Sequence, residues 1–309
     1  MKILFTGLSS FTGTWFAREL AAAGHSVVAP LRSELTKYDP ARLRRLDCVR
    51  ASVELVENAP FGSDVFRKII ASHGPFDVLC HHAADVSNYR SPEFDVQGAV
   101  TNNTWNILPV LRELQVKNSQ VCVIATGSVF EQDEGSGDLP LRAFSPYGLS
   151  KGLSWQVLKY YCSSLRIPLG KFVISNPFGP YEEPRFTAYL IRTWKEGKTA
   201  GVKTPDYVRD NIHVDLLAQA YIEFVSRAKR GLYDIGRMCP SGYIESQGSF
   251  AQRFARAMQP RLGYECALDL QTQVEFGEPM VRINTDSAKY LAKTWNESTA
   301  WDGIAEFYC

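Results

Sequence analysis

The sequence predicts an α/β fold, a doubly wound parallel sheet with a smaller C-terminal lobe interleaved with it. Up to about residue 130, short apolar runs alternate with helix-like segments. Runs that are apolar on both faces and alternate with helices are typical of a parallel sheet covered on both sides. After residue 176, prolines and glycines mark a long loop, followed by helix-like segments and a more polar tail. This change indicates a second lobe.

The individual elements follow from this alternation. The apolar runs predicted to be strands are Ile3–Thr6, Val27–Leu31, Val78–His82, Val121–Ala125 and Lys171–Ser175. The segments predicted to be helices are Trp15–Leu20, Val65–His73, Trp105–Leu114, Tyr147–Leu165, Phe186–Gly197 and Val214–Lys229. A short segment at Val208–His213 precedes the last of these helices.

The composition excludes several functional classes. The chain has 309 residues, 45% of them hydrophobic, and a net charge of +1, which does not indicate nucleic acid or an anionic membrane as a partner. Its apolar runs are shorter than the roughly 18 uncharged residues of a membrane span, and there is no signal-peptide pattern. The seven cysteines are scattered without a Cys-x-x-Cys pair. We therefore expect a cytoplasmic protein with reduced thiols and no metal site.

A glycine turn directly follows the first predicted strand and leads into a helix. It reads Thr6-Gly7-Leu8-Ser9-Ser10-Phe11-Thr12-Gly13. In a strand–turn–helix unit, backbone N–H groups and the helix N-terminus can hold a pyrophosphate. The turn therefore predicts a Rossmann-type dinucleotide site formed by Gly7, Ser9, Ser10, Phe11, Thr12 and Gly13. Gly7 allows a tight bend and Gly13 close helix–strand packing, whereas Ser10 occupies the position where a glycine usually lies closest to the phosphates. The alternative is a turn without a ligand.

The end of the second predicted strand carries no acidic residue. An Asp or Glu there would bond the adenosine ribose hydroxyls and repel a 2′-phosphate, but this position is Leu31, followed by Arg32 and Ser33. We therefore predict that NADP(H) is preferred over NAD(H), with Arg32 and Ser33 at the phosphate. The planar guanidinium of Arg32 can form two parallel hydrogen bonds to phosphate. A solvated loop arginine is the alternative.

Tyr147 and Lys151 stand one turn apart on a predicted helix, so both side chains project from the same face. Only Tyr147 among the 14 tyrosines has a lysine four residues later. A free tyrosine has a pKa near 10, and bringing it towards neutrality takes roughly 4 kcal/mol. A lysine ammonium and an oxidised nicotinamide ring both favour the phenolate. With Thr126, whose hydroxyl could bond the substrate oxygen at the end of strand Val121–Ala125, they form the predicted catalytic trio; a surface Tyr–Lys pair is the alternative.

These motifs resemble those of the extended short-chain dehydrogenase/reductase family, the NAD-dependent epimerases, dehydratases and reductases of nucleotide sugars. The likeness runs over most of the chain and keeps the family's order. Besides the glycine turn, the shared segments are His81-His82-Ala83-Ala84, Val129-Phe130, Ser145-Pro146-Tyr147-Gly148-Leu149-Ser150-Lys151, Asn176-Pro177-Phe178-Gly179-Pro180 and Arg209-Asp210-Asn211-Ile212-His213-Val214-Asp215.

The resemblance implies roles for individual residues. Thr126, Tyr147 and Lys151 would be catalytic, Ala83, Ala84 and Pro177 would line the cofactor, and a homodimer is expected. On the substrate side, Ser128 and Asn176 would contact the nucleotide-diphosphate sugar, and Arg209 its diphosphate. Arg282 is a further phosphate candidate, and an Arg209–Asp210 surface pair is the alternative for Arg209. We expect His81, His82 and His213 to be packed rather than catalytic.

The reaction is predicted from one motif and from the cofactor. Dehydratases of this family use an Asp-Glu pair directly after the catalytic Thr, and the residues here are Gly127 and Ser128. An epimerase retains NAD, whereas a reductase exchanges NADPH at each turnover. The sequence therefore predicts NADPH-dependent reduction of the 4-keto group of a nucleotide-activated 6-deoxy sugar. The alternatives are a nucleotide-sugar 4-epimerase with tightly held NAD and a non-catalytic NADP-binding redox sensor.

The sequence predicts two domains, one for the dinucleotide and one for the substrate. The dinucleotide-binding domain comprises residues 1–175 plus about 205–229, and the substrate lobe about 176–204 and 230–309.

Overall fold

The computed structural model describes residues 1–227, 234–275, 277–292 and 294–309. Strands β1 to β16 are, in chain order, Lys2–Thr6, Ser26–Pro30, Glu54–Val56, Val78–His81, Cys122–Ser128, Ser136–Gly137, Leu169–Ile174, Asn176–Phe178, Ala200–Val202, Val208–His213, Asp234–Met238, Pro240–Ser241, Tyr243–Ser246, Leu268–Leu270, Val281–Ile283 and Asp286–Ser287. Helices α1 to α11 are Phe11–Ala22, Pro40–Asp47, Asp64–His73, Val96–Thr104, Ile107–Lys117, Pro146–Leu165, Phe186–Lys195, Val214–Arg227, Gln247–Leu262, Ala288–Leu291 and Glu297–Tyr308.

Seven parallel strands form the main sheet, in the order β11-β7-β5-β4-β1-β2-β3. The order reverses at β1, whose neighbours are β2 on one side and β4 on the other. The carboxyl ends of β1 and β4 are in register, with Thr6 opposite His81. Ligands of doubly wound sheets bind at such a switch point, outside the carboxyl ends of the strands. The predicted α/β fold class is confirmed.

The chain divides into two compact units whose segments alternate along the sequence. Unit 1 comprises Met1–Glu134, Arg142–Ile174 and Tyr221–Met238, and it contains the seven-stranded sheet. Unit 2 comprises Gly135–Leu141, Ser175–Ala220 and Cys239–Cys309. Its largest sheet has the order β13-β10-β15-β6, with β8 paired to β10.

The unit boundaries differ from the predicted domain boundaries. Residues 205–220 lie in unit 2 because β10 pairs with β8, β13 and β15, which are all strands of that unit. Residues 135–141 lie there because β6 pairs with β15. Residues 228 and 229 of the predicted first domain, and 230–233, 276 and 293 of the predicted lobe, lie outside the described residues.

For two of the predicted elements, local contacts explain why the observed bounds differ from the predicted ones. Strand β5 continues past Ala125 to Ser128, because Thr126, Gly127 and Ser128 pair with β7. The predicted helix Trp105–Leu114 starts instead at Ile107, because Asn106 has a φ of 50°. The Asn106 side chain donates to the Gly62 carbonyl at 2.9 Å, which holds this break between α4 and α5. Strand β3 was not predicted.

Each unit has an apolar core of its own. In unit 1, residues of β1, β4 and β5 pack with helices α3, α5 and α6. In unit 2, aromatic rings dominate, among them Phe178, Trp194, Phe250, Phe254 and Trp301. In the described parts of the chain, no helix is long and apolar enough to cross a membrane, and no group of His, Cys, Asp or Glu residues has a metal-binding arrangement.

Candidate active site

The glycine turn lies between β1 and α1 in unit 1, and two glycines shape it. Gly7 has a φ of +82°, and a Cβ there would lie 2.8 Å from the Ala83 nitrogen. A Cβ on Gly13 would lie 2.2 Å from the Gly7 carbonyl oxygen. Ser10 caps the helix, since its side chain accepts a hydrogen bond from Gly13 N at 3.1 Å. Both glycines are therefore required by close backbone approach.

This turn fits the pyrophosphate of a dinucleotide. Phe11 and Thr12 are the first residues of α1, where backbone N–H groups have no carbonyl of their own helix to bond. The positive end of the helix dipole lies there as well. The hydroxyl of Ser10 is within 2.9 Å of the Gly7 carbonyl oxygen, so this side chain folds back against the turn. Ser9, just before the cap residue, is half-buried.

His82 connects the turn to the predicted catalytic threonine. Its Nε2 lies 3.1 Å from the hydroxyl oxygens of both Ser10 and Thr12, and its Nδ1 lies 3.0 Å from Thr126 Oγ1. Burial lowers the pKa of His82 to about 3, so the ring is neutral at physiological pH. His81, next to it, bonds the Asn103 carbonyl at 2.9 Å, and burial lowers its pKa to about 4. Both histidines are packed, as predicted.

Helix α6 carries Tyr147 and Lys151. Ser145 caps it by accepting from Gly148 N at 3.0 Å, and Pro146 occupies its first turn, where the missing N–H costs nothing. The Tyr147 ring is half-buried and lies edge-on to three aromatic rings at centroid distances of 5.6 to 6.4 Å, those of Tyr89, Phe94 and Phe130.

Lys151 is buried and reaches the end of β5. Its ammonium donates to the Thr126 carbonyl oxygen at 2.5 Å. Burial lowers the pKa of Lys151, the negative charge of Glu131 raises it, and the positive charge of Lys171 lowers it. The structure therefore brings Thr126 on β5 into direct contact with Lys151 on α6, the helix that also bears Tyr147.

The Thr126 hydroxyl faces His82 rather than open solvent, and Thr126 is 6% exposed. Ser128, two residues further along β5, is half-buried; its hydroxyl accepts from Phe130 N at 3.2 Å. Ala83 and Ala84 follow β4 and are half-buried, with Ala83 N donating to Thr6 Oγ1 at 3.0 Å.

A buried apolar residue and an exposed basic residue follow the end of β2. Leu31 is buried, whereas Arg32 is exposed, and the structure shows no acidic side chain bonded to Arg32 among the described residues. Ser33 N donates to the Tyr38 hydroxyl at 3.4 Å. The positive charge of Arg32 contributes to lowering the pKa of Asp85, so these two side chains lie near each other.

The predicted substrate residues Asn176, Arg209 and Arg282 lie in unit 2, as does Pro177. Arg209 on β10 and Arg282 on β15 are register partners in a parallel pair, so their side chains leave the sheet on the same face. Arg209 donates to Asn176 Oδ1 at 2.9 Å, and its guanidinium lies 4.3 Å from the Tyr207 ring centroid. Pro177 is buried in β8, opposite Ile212 of β10.

Arg209 also forms an ion pair with Glu278. The distance from Nη2 to Glu278 Oε2 is 3.0 Å, and the Tyr207 hydroxyl donates to the same oxygen at 2.6 Å. The side chains of Arg209 and Glu278 are 22% and 28% exposed. A carboxylate therefore contacts the guanidinium that the sequence predicts to bind a diphosphate.

Several residues of the site were not predicted. Glu131 and Lys171 form a buried ion pair, and Glu278 binds Arg209. The Asn103 backbone carbonyl accepts from the His81 ring, and its side-chain amide donates to Ser154. The available signal for Lys171 was a lysine within an otherwise apolar strand. Glu131 and Glu278 lie in polar stretches that are indistinguishable from solvated loops in the sequence.

Comparisons with known proteins identify the family and the fold. The model of the NAD dependent epimerase/dehydratase family matches residues 3–236. A UDP-glucose 4-epimerase of Mycolicibacterium smegmatis is 26% identical over 236 residues, which are 72% of this chain and 72% of that protein.

Solved structures share the fold at low sequence identity. A mutant UDP-glucuronic acid 4-epimerase from Bacillus cereus, in complex with UDP-4-deoxy-4-fluoro-glucuronic acid and NAD, has a TM-score of 0.76 and 18% identity, covering 100% of this chain and 99% of that chain. A UDP-N-acetylglucosamine 4-epimerase from Methanobrevibacter ruminantium has a TM-score of 0.74 and 15% identity, covering 99% and 97%.

Proposed function

Because the chain belongs to the NAD dependent epimerase/dehydratase family, we propose that it is a nucleotide-sugar 4-epimerase that keeps NAD bound through turnover. The observation that carries this proposal is the contact of the Lys151 ammonium with the Thr126 carbonyl, which fixes the Tyr147-bearing helix at the carboxyl end of β5. The relatives named above, in sequence and in structure, are 4-epimerases. The 4-epimerase, which the sequence left as an alternative, is therefore favoured over the predicted 4-keto reductase.

Bound NAD supplies the acceptor and the donor of a hydride at C4 of the sugar. Tyr147 accepts the proton of the C4 hydroxyl when that carbon is oxidised, and it returns a proton to the C4 oxygen when the carbon is reduced. Lys151 favours the phenolate of Tyr147 through its positive charge. Thr126 bonds the C4 oxygen once its hydroxyl turns from His82 to the sugar.

Dehydration, the other reaction of the family, is disfavoured by the space around Gly127. A Cβ at this position would lie 2.6 Å from Cε of Lys171 and 3.1 Å from Oε1 of Glu131. An acidic side chain at position 127 would therefore have to displace a buried ion pair. The second position of the dehydratase Asp-Glu pair is taken by the half-buried Ser128, and a hydroxyl is a poor acid–base group at neutral pH.

Arg209 and Arg282 are the proposed ligands of the nucleotide diphosphate. They are register partners on one face of the unit 2 sheet, and guanidinium groups bind phosphate oxygens with paired hydrogen bonds. Asn176 positions Arg209 through the 2.9 Å hydrogen bond to its side-chain oxygen.

The decisive experiment uses the purified protein without added cofactor. Denaturation should release NAD in a near-stoichiometric amount, and incubation with UDP-hexoses should yield the C4 epimer of one of them on anion-exchange chromatography. Tyr147→Phe should retain the dinucleotide and produce no epimer. A protein that releases no dinucleotide and changes no UDP-sugar would refute the proposal.

A 4-keto reductase that uses NADPH is the second candidate, and the exposed Arg32 after the buried Leu31 is the observation that favours it. Here Arg32 would bind the 2′-phosphate of NADPH, and Tyr147 would donate the proton to the keto oxygen. Titration of cofactor-free protein with NADPH and NADH separates the candidates. A large preference for NADPH that is lost in Arg32→Glu supports the reductase, whereas equal affinities exclude this role of Arg32.

We further propose a homodimer formed through α6. Leu149, Leu153 and Tyr160 are spaced to lie along one side of this helix and are 41%, 44% and 67% exposed. Light scattering of the wild type and of a Leu153→Glu variant tests this proposal: the wild type should be dimeric, and the variant should shift towards the monomer.

A further inference from the structure

A buried cluster of charges lies beside Lys151 in unit 1. The Lys171 ammonium on β7 donates to Glu131 at 2.5 Å and to Glu134 at 2.7 Å. The side chains of Lys171, Glu131 and Glu134 are 4%, 1% and 6% exposed. The Lys171 nitrogen also lies 4.8 Å from the ring centroid of Trp155, on the same helix as Lys151. Charged residues are almost never this buried without a specific partner.

Both oxygens of Glu131 are held in place. Oε2 accepts from Lys171, and Oε1 accepts from the backbone N–H of Ser128 at 2.8 Å. The space for these contacts exists because Gly127 has no side chain. The carboxylate is thereby fixed beneath the end of β5, the strand whose Thr126 carbonyl receives the Lys151 hydrogen bond.

Glu131, Lys171 and Lys151 line one cavity. Its volume of about 20 Å³ is enough for a single water molecule. The polar part of its lining also includes Thr126, Asn103 and Ser154, and the rest is apolar. One negatively charged and two positively charged side chains, each less than a tenth exposed, therefore line the same small cavity.

We propose that Glu131 is a positioning residue that keeps the Lys151 side chain a cation, and that Lys171 limits this effect by neutralising part of the Glu131 charge. The inference deepens the proposed function, because it rests on the proposed role of the Lys151 charge in activating Tyr147. Neither residue touches the sugar or the dinucleotide in this proposal.

The physical reason is the cost of burying an ammonium group. Desolvation favours the neutral amine and lowers the pKa of Lys151, while charges in a poorly screened cavity interact strongly. Glu131 opposes the loss of the proton and Lys171 promotes it. The other titratable groups facing Lys151 are Tyr147 on its own helix, the neutral His81 and His82 after β4, and Glu134, whose charge is bound to Lys171.

The two members of the ion pair should therefore have opposite effects, which a purely structural pair would not have. The test labels the full-length protein with ¹³Cε-lysine and follows the Lys151 signal over pH; the signal is assigned by its loss in Lys151→Arg. Glu131→Gln should lower the titration midpoint of Lys151 by about one pH unit, and Lys171→Met should raise it by about one unit. The exposed Lys159→Met on the same helix is the control and should leave the midpoint unchanged.

Midpoints that move together, or do not move, would overturn the inference. If one of the two variants does not fold, the other decides alone: an unchanged or raised midpoint in Glu131→Gln, or an unchanged or lowered midpoint in Lys171→Met, contradicts the proposal. The pH limit above which turnover fails should shift in the same directions. If the wild type epimerises no sugar nucleotide, the proposed function fails, yet the lysine titration still decides this inference.

Discussion

The two compact units hold their candidate functional side chains in different ways. In unit 1, Lys151, Thr126 and His82 are each less than a tenth exposed and are bonded to protein atoms around them. In unit 2, Arg209 is partly exposed, and Glu278 occupies the place proposed for the diphosphate. The difference teaches that the side chains around the proposed proton-transfer site are held by contacts within the protein, whereas the proposed anion site holds an acid that a ligand would have to displace. Substitutions in unit 1 should therefore change turnover, and substitutions in unit 2 should change affinity.

The largest effect is expected at Tyr147. Tyr147→Phe should lower kcat by at least about 1,000-fold, because positioned acid–base groups contribute up to about 10⁴-fold. The dissociation constant for UDP, measured by calorimetry, should stay within about twofold of the wild type. Tyr290→Phe, at an exposed tyrosine on α10, is the control and should behave like the wild type. A kcat reduced by less than tenfold would contradict the role of Tyr147.

At Arg209 the expected effect is on binding. Arg209→Met should weaken UDP binding by about 10- to 100-fold, since hydrogen bonds between charged groups contribute about 1.5–3 kcal/mol. The kcat at saturating substrate should change little. Arg253→Met is the matched control, because Arg253 is also an arginine of unit 2 paired with a glutamate, Glu245, at 2.7 Å. Equal losses of affinity in the two variants would exclude a specific anion site at Arg209.

Acid should act with opposite signs on two buried groups, His82 in unit 1 and Glu182 in unit 2. Burial lowers the pKa of His82 in unit 1 to about 3, so its contribution to stability is complete above pH 6.5 and is lost as the pH falls below it. Burial raises the pKa of Glu182 in unit 2 to about 7, so the folded state gains stability as the pH falls from 7.

Urea unfolding at pH 7 and pH 5 measures both effects. The measured quantity is the loss of unfolding free energy when the pH is lowered from 7 to 5. Compared with the wild type, this loss should be about 2 kcal/mol smaller in His82→Gln and about 2 kcal/mol larger in Glu182→Gln. Shifts of the same sign in the two test variants would break the comparison between the units.

The smallest effect is expected at Glu278. Glu278→Gln should tighten UDP binding by up to about fivefold, because partly exposed ion pairs contribute about 0.2–1 kcal/mol and the diphosphate must displace this one. Glu275→Gln removes the same charge from the same segment and is the control for long-range electrostatics. Tightening of similar size in both variants would show that Glu278 does not compete specifically.

The sequence was sufficient where the function depends on local backbone geometry. The glycine turn, the capped start of α6 and the one-turn spacing of Tyr147 and Lys151 each need only a few neighbouring residues, and the structure has them in the predicted elements. The family resemblance is confirmed. The pairing of Arg209 with Arg282 could be suggested from residue type alone, but their shared face required the parallel pairing of β10 and β15.

The sequence was insufficient where partners are distant along the chain. Lys171 and Glu131 are 40 residues apart, and Arg209 and Glu278 are 69 apart, so neither pair produces a local pattern. The stretch Glu131-Gln132-Asp133-Glu134 has the composition of a solvated loop, yet two of its glutamates are almost completely buried. Burial of a charge depends on the partner that neutralises it, and that partner is known only after folding.

The crowding at Gly127 also restricts how this protein could evolve. A single change of Gly127 to an acidic residue would place new atoms against Lys171 and leave a buried charge without its partner, so the intermediate would lose stability before it gained chemistry. If Lys171 were replaced first, Glu131 would become the buried charge without its partner, and the protein would again lose stability. Under the proposed function, acquiring dehydratase chemistry at this position would require coordinated changes on β5, on the following loop and on β7, so single mutations would not readily change the reaction type.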